Sequence, residues 1–156
     1  MGLPRILCIM GSGETAPTMA PVHIEVLERL GDGTAVFIDT PFGFQENADE
    51  LVSRAREYFA RSVGHELDVA SFRSAGASEL ERETCATRIA AAGYVFAGPG
   101  SPTYALEQWR DSPIPDLLRE KLRQGGAVTF ASAAAVSLGK VALPVYEIYK
   151  VGHPVH

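Results

Sequence analysis

Ala127-Val128-Thr129-Phe130-Ala131-Ser132-Ala133-Ala134-Ala135-Val136-Ser137-Leu138-Gly139 passes from a short apolar run, through one serine, into a small-residue segment closed by glycine. The run reads as a buried strand over Ala127–Ala131, and Ala133 to Leu138 reads as a helix stopped at Gly139. Working outward, the same unit recurs. Arg5–Met10, Ala35–Asp39, Leu67–Phe72 and Tyr94–Ala97 are short and mostly apolar, as buried parallel strands are. Helical segments separate them. One runs from Pro21 to Leu30, with proline near its start and Gly31 just past its end. A second begins at Asn47 with Glu50 three residues on, and a third at Ser78 with Glu81, both in the pattern of a capping box. A fourth runs from about Pro115 to Gln124 and stops at Gly125-Gly126. Strand–helix alternation of this kind predicts one three-layer α/β/α domain around a mainly parallel sheet.

Composition narrows the function classes. Of 156 residues, 46% are hydrophobic and 21% charged, enough to bury one core and unlike a disordered chain. Fourteen basic against nineteen acidic residues give a net charge of −5, with no basic cluster. That excludes a phosphate-backbone binder and a basic membrane-surface helix, so neither nucleic acid nor membrane is expected as a partner. The uncharged stretch Gly126–Gly139 is too short to span a bilayer, and a cytoplasmic location is expected. Cys8 and Cys85 are too few for a disulfide framework or a zinc site and read as small buried hydrophobes. His23 and His65 lack partners at metal-ligand spacing and read as surface or helix-face residues. No metal and no cofactor are expected.

Parallel sheets bind ligands beyond the carboxyl ends of their strands. Here that rule selects Gly11-Ser12-Gly13-Glu14-Thr15, Asp39–Asn47, Gly98–Tyr104 and Ser132, and makes Gly11, Ser12, Gly13, Glu14, Asp39 and Thr103 candidate substrate contacts. The Gly11–Thr15 loop could offer N–H groups to an anion, or could be a plain βα turn. It lacks the third glycine of a dinucleotide fingerprint and the Gly-Lys of a P-loop. Ser132 has two readings. As a nucleophile it would project above the sheet from a strand–turn–helix junction, with small neighbours relieving the crowded turn. As a helix N-cap it would only satisfy backbone. In Gly98-Pro99-Gly100-Ser101-Pro102-Thr103 the prolines remove two donors, leaving the N–H groups of Gly98, Gly100 and Ser101.

A strand running into Gly98-Pro99-Gly100-Ser101-Pro102-Thr103, then Leu106, then a strand running into Ala131-Ser132-Ala133-Ala134-Ala135, resembles the class I glutamine amidotransferase-like superfamily, whose fold is flavodoxin-like. Within it the chain looks most like the serine peptidases related to dipeptidase E and cyanophycinase. Their nucleophile sits in a Gly-x-Ser-Ala-Gly-Ala elbow. Ser132-Ala133 and Ala135 match that elbow, whereas Phe130 and Ala134 stand where the family has glycines. The resemblance implies Ser132 as nucleophile, Glu147 as the acidic member, and the N–H groups of Gly98, Gly100 and Ala133 as oxyanion donors. It also implies a histidine base, for which His153, His156 or a histidine outside this chain are the candidates. Family members generally run longer, so the domain over 1–156 is expected to be incomplete at its C-terminus.

Two functions follow as expectations. The first is a serine hydrolase or peptidase cleaving a peptide or amide bond in a small peptide or amide-like substrate. The alternative is a non-catalytic amidotransferase-like domain that uses the same loops to bind a small polar ligand or to self-associate. Glutaminase chemistry is disfavoured because the elbow holds serine rather than cysteine. A homo-oligomer is expected if the sheet ends near Val151, since that would leave an open edge.

Overall fold

Five strands form at the short apolar runs: β1 (Arg5–Met10), β2 (Ala35–Ile38), β3 (Leu67–Ala70), β4 (Tyr94–Ala97) and β5 (Gly126–Ala131). They are seen in a computed structural model that describes residues 2–31, 33–152 and 154. All pairings are parallel, in the order β1-β5-β4-β2-β3. Seven α-helices are found among the described residues: α1 (Ala20–Leu30), α2 (Ala48–Tyr58), α3 (Glu79–Ala91), α4 (Pro102–Trp109), α5 (Ile114–Gln124), α6 (Ser132–Ser137) and α7 (Val145–Tyr149).

The strand order explains the layers. The chain crosses the sheet in one direction from β1 to β2 to β3, then returns from β3 to β4 to β5. Crossovers of one hand therefore place α1 and α2 on one face and α3, α4 and α5 on the other. Alternating side chains follow. Ala35, Phe37, Phe96 and Ala131 face the first layer with Leu27 and Phe59, while Val36, Ile38, Val95 and Phe130 face the second with Ile89 and Trp109. β2, β4 and β5 are buried along their whole length, which is why they read as continuous apolar runs. β1 lies at an edge and leaves Leu7 and Ile9 50% and 61% exposed.

Ser78 forms the expected capping box, its hydroxyl accepting from Glu81 N–H while the Glu81 carboxylate accepts from Ser78 N–H at 2.7 Å. Asn47 does not. It enters α2 from a turn, with φ −91° and ψ 21° rather than extended backbone, so its side chain makes no cap bond and Glu50 pairs with Arg54 instead. The loop after β4 opens into α4, with Ser101 as its N-cap and Pro102 in its first turn. Beyond β5 the described residues form helices rather than a further strand. Among the described residues the edge strands of the sheet are β1 and β3, and no strand lies near Val151. Among the described residues no helix is long and apolar enough to cross a membrane.

Candidate active site

β1, β5 and β4 are neighbours, so the loops leaving their carboxyl ends lie side by side. Backbone bonds join them: Ser132 N–H donates to Gly11 carbonyl at 3.1 Å, and Ala134 N–H donates to Gly98 carbonyl at 3.1 Å. Ala131 is still extended, with φ −130° and ψ 160°. At Ser132 the chain turns sharply, with φ +49°, the one positive φ of a non-glycine residue among those described. This backbone costs on the order of 1–3 kcal/mol and persists only where the surroundings impose it.

The serine does not cap α6. Ala131 occupies the N-cap, and Ser132 Oγ–H instead donates to Glu14 Oε2 at 3.2 Å. Phe130, two positions before the serine, turns its ring onto Trp109 of α4 in the second layer, with centroids 5.7 Å apart. Ser132→Gly is expected to be more stable than Ser132→Ala by about 1 kcal/mol, because glycine accepts a positive φ without strain. Urea melts of the two variants check this, and equal midpoints would mean that the turn is unstrained.

Ser132 opens on a cavity of about 410 Å³ lined by Gly11, Ser12 and Gly100 from the strand-end loops, by Ala133 of α6, and by Tyr146, Tyr149 and Lys150 from α7 and its end. Gly100 (φ +136°) lies against the turn after β2, where Ser101 N–H donates to Pro41 carbonyl at 2.8 Å. That bond uses the Ser101 donor. Ala133 N–H, in the first turn of α6, has no acceptor within its own helix.

Glu147 sits over the start of α4. Its carboxylate accepts from Ser101 Oγ at 2.7 Å and from Thr103 Oγ1 at 3.3 Å. Asp39 is fully buried and accepts from Ser71 Oγ at 2.7 Å, Phe72 N–H at 2.8 Å and Arg73 Nε at 3.0 Å. Its carboxylate thus organises the loop after β3, and it is not among the residues lining the Ser132 cavity. His153 and His156 lie outside the described residues.

The Gly11–Thr15 loop differs from a phosphate cradle in two ways. A 3₁₀ turn, Pro17–Met19, separates it from α1, and the Glu14 side chain occupies its interior, 5% exposed. His23 holds this loop and is not a surface residue, being fully buried. Its Nε2–H donates to Glu14 carbonyl at 2.8 Å, which leaves Nδ1 to accept from Tyr94 Oη at 2.7 Å. Burial lowers the His23 pKa, consistent with the neutral imidazole that this pattern requires. Among the described residues no group of three or more His, Cys, Asp or Glu side chains is placed to hold a metal ion.

No protein-family model and no curated protein matches the sequence. Solved structures do. A peptidase from an acI-B1 Actinobacterium superposes with a TM-score of 0.75 at 22% identity, over 87% of this chain and 57% of that one. A candidate peptidase E from Listeria monocytogenes EGD-e superposes with a TM-score of 0.62 at 20% identity, over 83% of this chain and 59% of that one. The fold is that of the peptidase E-type proteins. At these identities the likeness is one of fold, and the chain spans less than two thirds of the length of either neighbour.

On this peptidase E-type fold the structure brings Gly11, Ser12, Glu14, Gly98, Gly100, Ser132 and Ala133 together at three adjacent strand ends. Gly13 supports the turn, with φ +85° and its carbonyl accepting from Ala16 N–H. Thr103 and Glu147 meet each other beside Ser101. Sequence reasoning passed over Tyr146, Tyr149 and Lys150 as cavity residues. Their i, i+3, i+4 spacing behind Pro144 was the available signal of a helical face.

Proposed function

We propose that this chain carries the nucleophile of a serine hydrolase acting on a peptide or amide bond. The positive φ at Ser132, with the hydroxyl released from helix capping and set at the mouth of a cavity, is the observation that carries this reading. A side chain on such a turn stands clear of the sheet, where an acyl carbon can approach it.

In this reading Ser132 Oγ attacks the carbonyl carbon, and the N–H groups of Gly98, Gly100 and Ala133 receive the developing oxyanion. Glu147, bound to Ser101 and Thr103, fixes the start of α4 beneath the Gly98–Ser101 loop. It is also the acid that would orient a histidine base, His153 or another, as the family resemblance implies. Gly11, Ser12 and the α7 side chains would contact the substrate, with Tyr146 and Tyr149 offering apolar faces and Lys150 a cation to an anionic group. Covalent labelling by a fluorophosphonate tests the reading, because such probes react with an activated serine and leave an ordinary hydroxyl unmodified. If the protein binds ligands without turnover, no label is incorporated.

A further inference from the structure

The N–H and the hydroxyl of Ser132 both bind one loop. The N–H donates to the Gly11 carbonyl and the Oγ–H to Glu14, so the loop after β1 supports the positive φ and sets the direction of the hydroxyl. That loop has little of its own to hold it. Within residues 11–16 one backbone bond closes, from Ala16 N–H to Gly13 carbonyl at 2.8 Å, and Gly11 and Gly13 leave the chain conformationally free. Two side chains behind the loop supply what its backbone lacks. His23 of α1 donates through Nε2–H to Glu14 carbonyl at 2.8 Å, and Tyr58 of α2 donates through Oη to Ala16 carbonyl at 2.9 Å. The imidazole is itself locked. It is fully buried, Phe59 and Phe96 meet it edge-on, and Tyr94 Oη holds its Nδ1. Tyr94 lies on β4, the strand that leads into Gly98, so one ring ties the loop after β1 to the strand behind the Gly98 loop. With both nitrogens engaged, neither is free to take the serine proton.

Resting on the serine hydrolase reading, we propose that His23 and Tyr58 are positioning residues for Ser132, with His23 the principal one. Its Nε2–H acts through the Glu14 carbonyl to hold the loop that aims the serine at the cavity. His23 is therefore distinct from the histidine base of that reading, which must meet Oγ itself. What the position requires is a hydrogen-bond donor where Nε2 stands, rather than an imidazole as such. Displacing a reacting atom by about 1 Å costs about 100-fold in rate. A loop released from its anchor thus slows the serine even in a molecule that remains folded.

The test is the rate of fluorophosphonate labelling in the full chain, measured well below the melting transition of each variant. His23→Gln brings its amide N–H to the place of Nε2 and keeps the donor, whereas His23→Leu fills the site and offers none. The glutamine variant is expected to label within about threefold of wild type, and the leucine variant at least about tenfold more slowly, whichever of the two melts higher. A glutamine variant that labels no faster than the leucine variant overturns the proposal. Should either fail to fold, Tyr58→Phe decides, since it removes one hydroxyl from the loop's other anchor and leaves the ring. Labelling slowed about threefold or more is then expected, and labelling at the wild-type rate overturns the proposal. Wild type that takes no label overturns the hydrolase reading and this proposal with it, whereas the other contrary results overturn the positioning role alone.

Discussion

Gly100→Ala is expected to lower stability by about 3 kcal/mol or more, roughly 6–12 °C in melting temperature for a domain of this size. The backbone there has φ +136°, a conformation L side chains rarely adopt. An added Cβ would also overlap the Pro41 carbonyl and come within 2.7 Å of Phe42 N. Neither neighbour can retreat, since Thr40, Pro41 and Phe42 are all buried. Strain of about 1–3 kcal/mol, overpacking of similar size and the loss of about 1 kcal/mol from the Ser101–Pro41 bond combine at this position. The effect reaches beyond stability, because Ser101 caps α4 and carries Glu147. A variant melting within 2 °C of wild type, checked by calorimetry, would contradict this picture of the loop.

His23→Ala is expected to cost about 3–5 kcal/mol, the range for emptying a buried ring site. Phe59 and Phe96 close around the imidazole at 5.0 and 5.2 Å, so the space cannot collapse cheaply. The variant also strands the Tyr94 hydroxyl and the Glu14 carbonyl. A second signature comes from protonation. In the unfolded chain the imidazole binds its proton near its ordinary value of 6.5, whereas burial lowers its pKa in the fold. Between those two values the unfolded state holds more protons, so stability present above about pH 6.5 is lost as pH falls, by up to about 1.4 kcal/mol per pH unit. Urea melts from pH 7.5 to 5 should show this slope in wild type and its absence in the His23→Ala variant after subtraction. Parallel pH profiles would mean that His23 titrates alike in both states.

Where local chemistry decided the structure, the sequence was readable. Ser78 with Glu81 formed the capping box, β1 and β4 ended where their apolar runs ended, and the small residues around Ser132 did surround a sharp turn. Long-range packing hid the rest. Tyr146-Glu147-Ile148-Tyr149 resembles an alternating strand, but its side chains dock on α4 and the cavity, with Tyr146 against Phe44 at 5.2 Å, and a helix results. His23 looks like a helix-face residue until α2 and the sheet close over it, since its partner Tyr94 is 71 positions away. Asp39 belongs to a strand end, as expected, yet its bonds come from the loop after β3, a pairing no local pattern announces. Glu14 was visible as a polar residue at a strand end. Its place beneath Ser132 depends on the neighbouring order of β1, β5 and β4, a tertiary fact.

The chemistry proposed for this fold depends on Ser132 being an activated nucleophile. Incubation of the folded chain with a fluorophosphonate, followed by peptide mapping in a mass spectrometer, measures that activation. One adduct located on Ser132, absent from the Ser132→Ala variant at equal foldedness, is the predicted result. An unlabelled wild type, or equal labelling of wild type and variant, would contradict it.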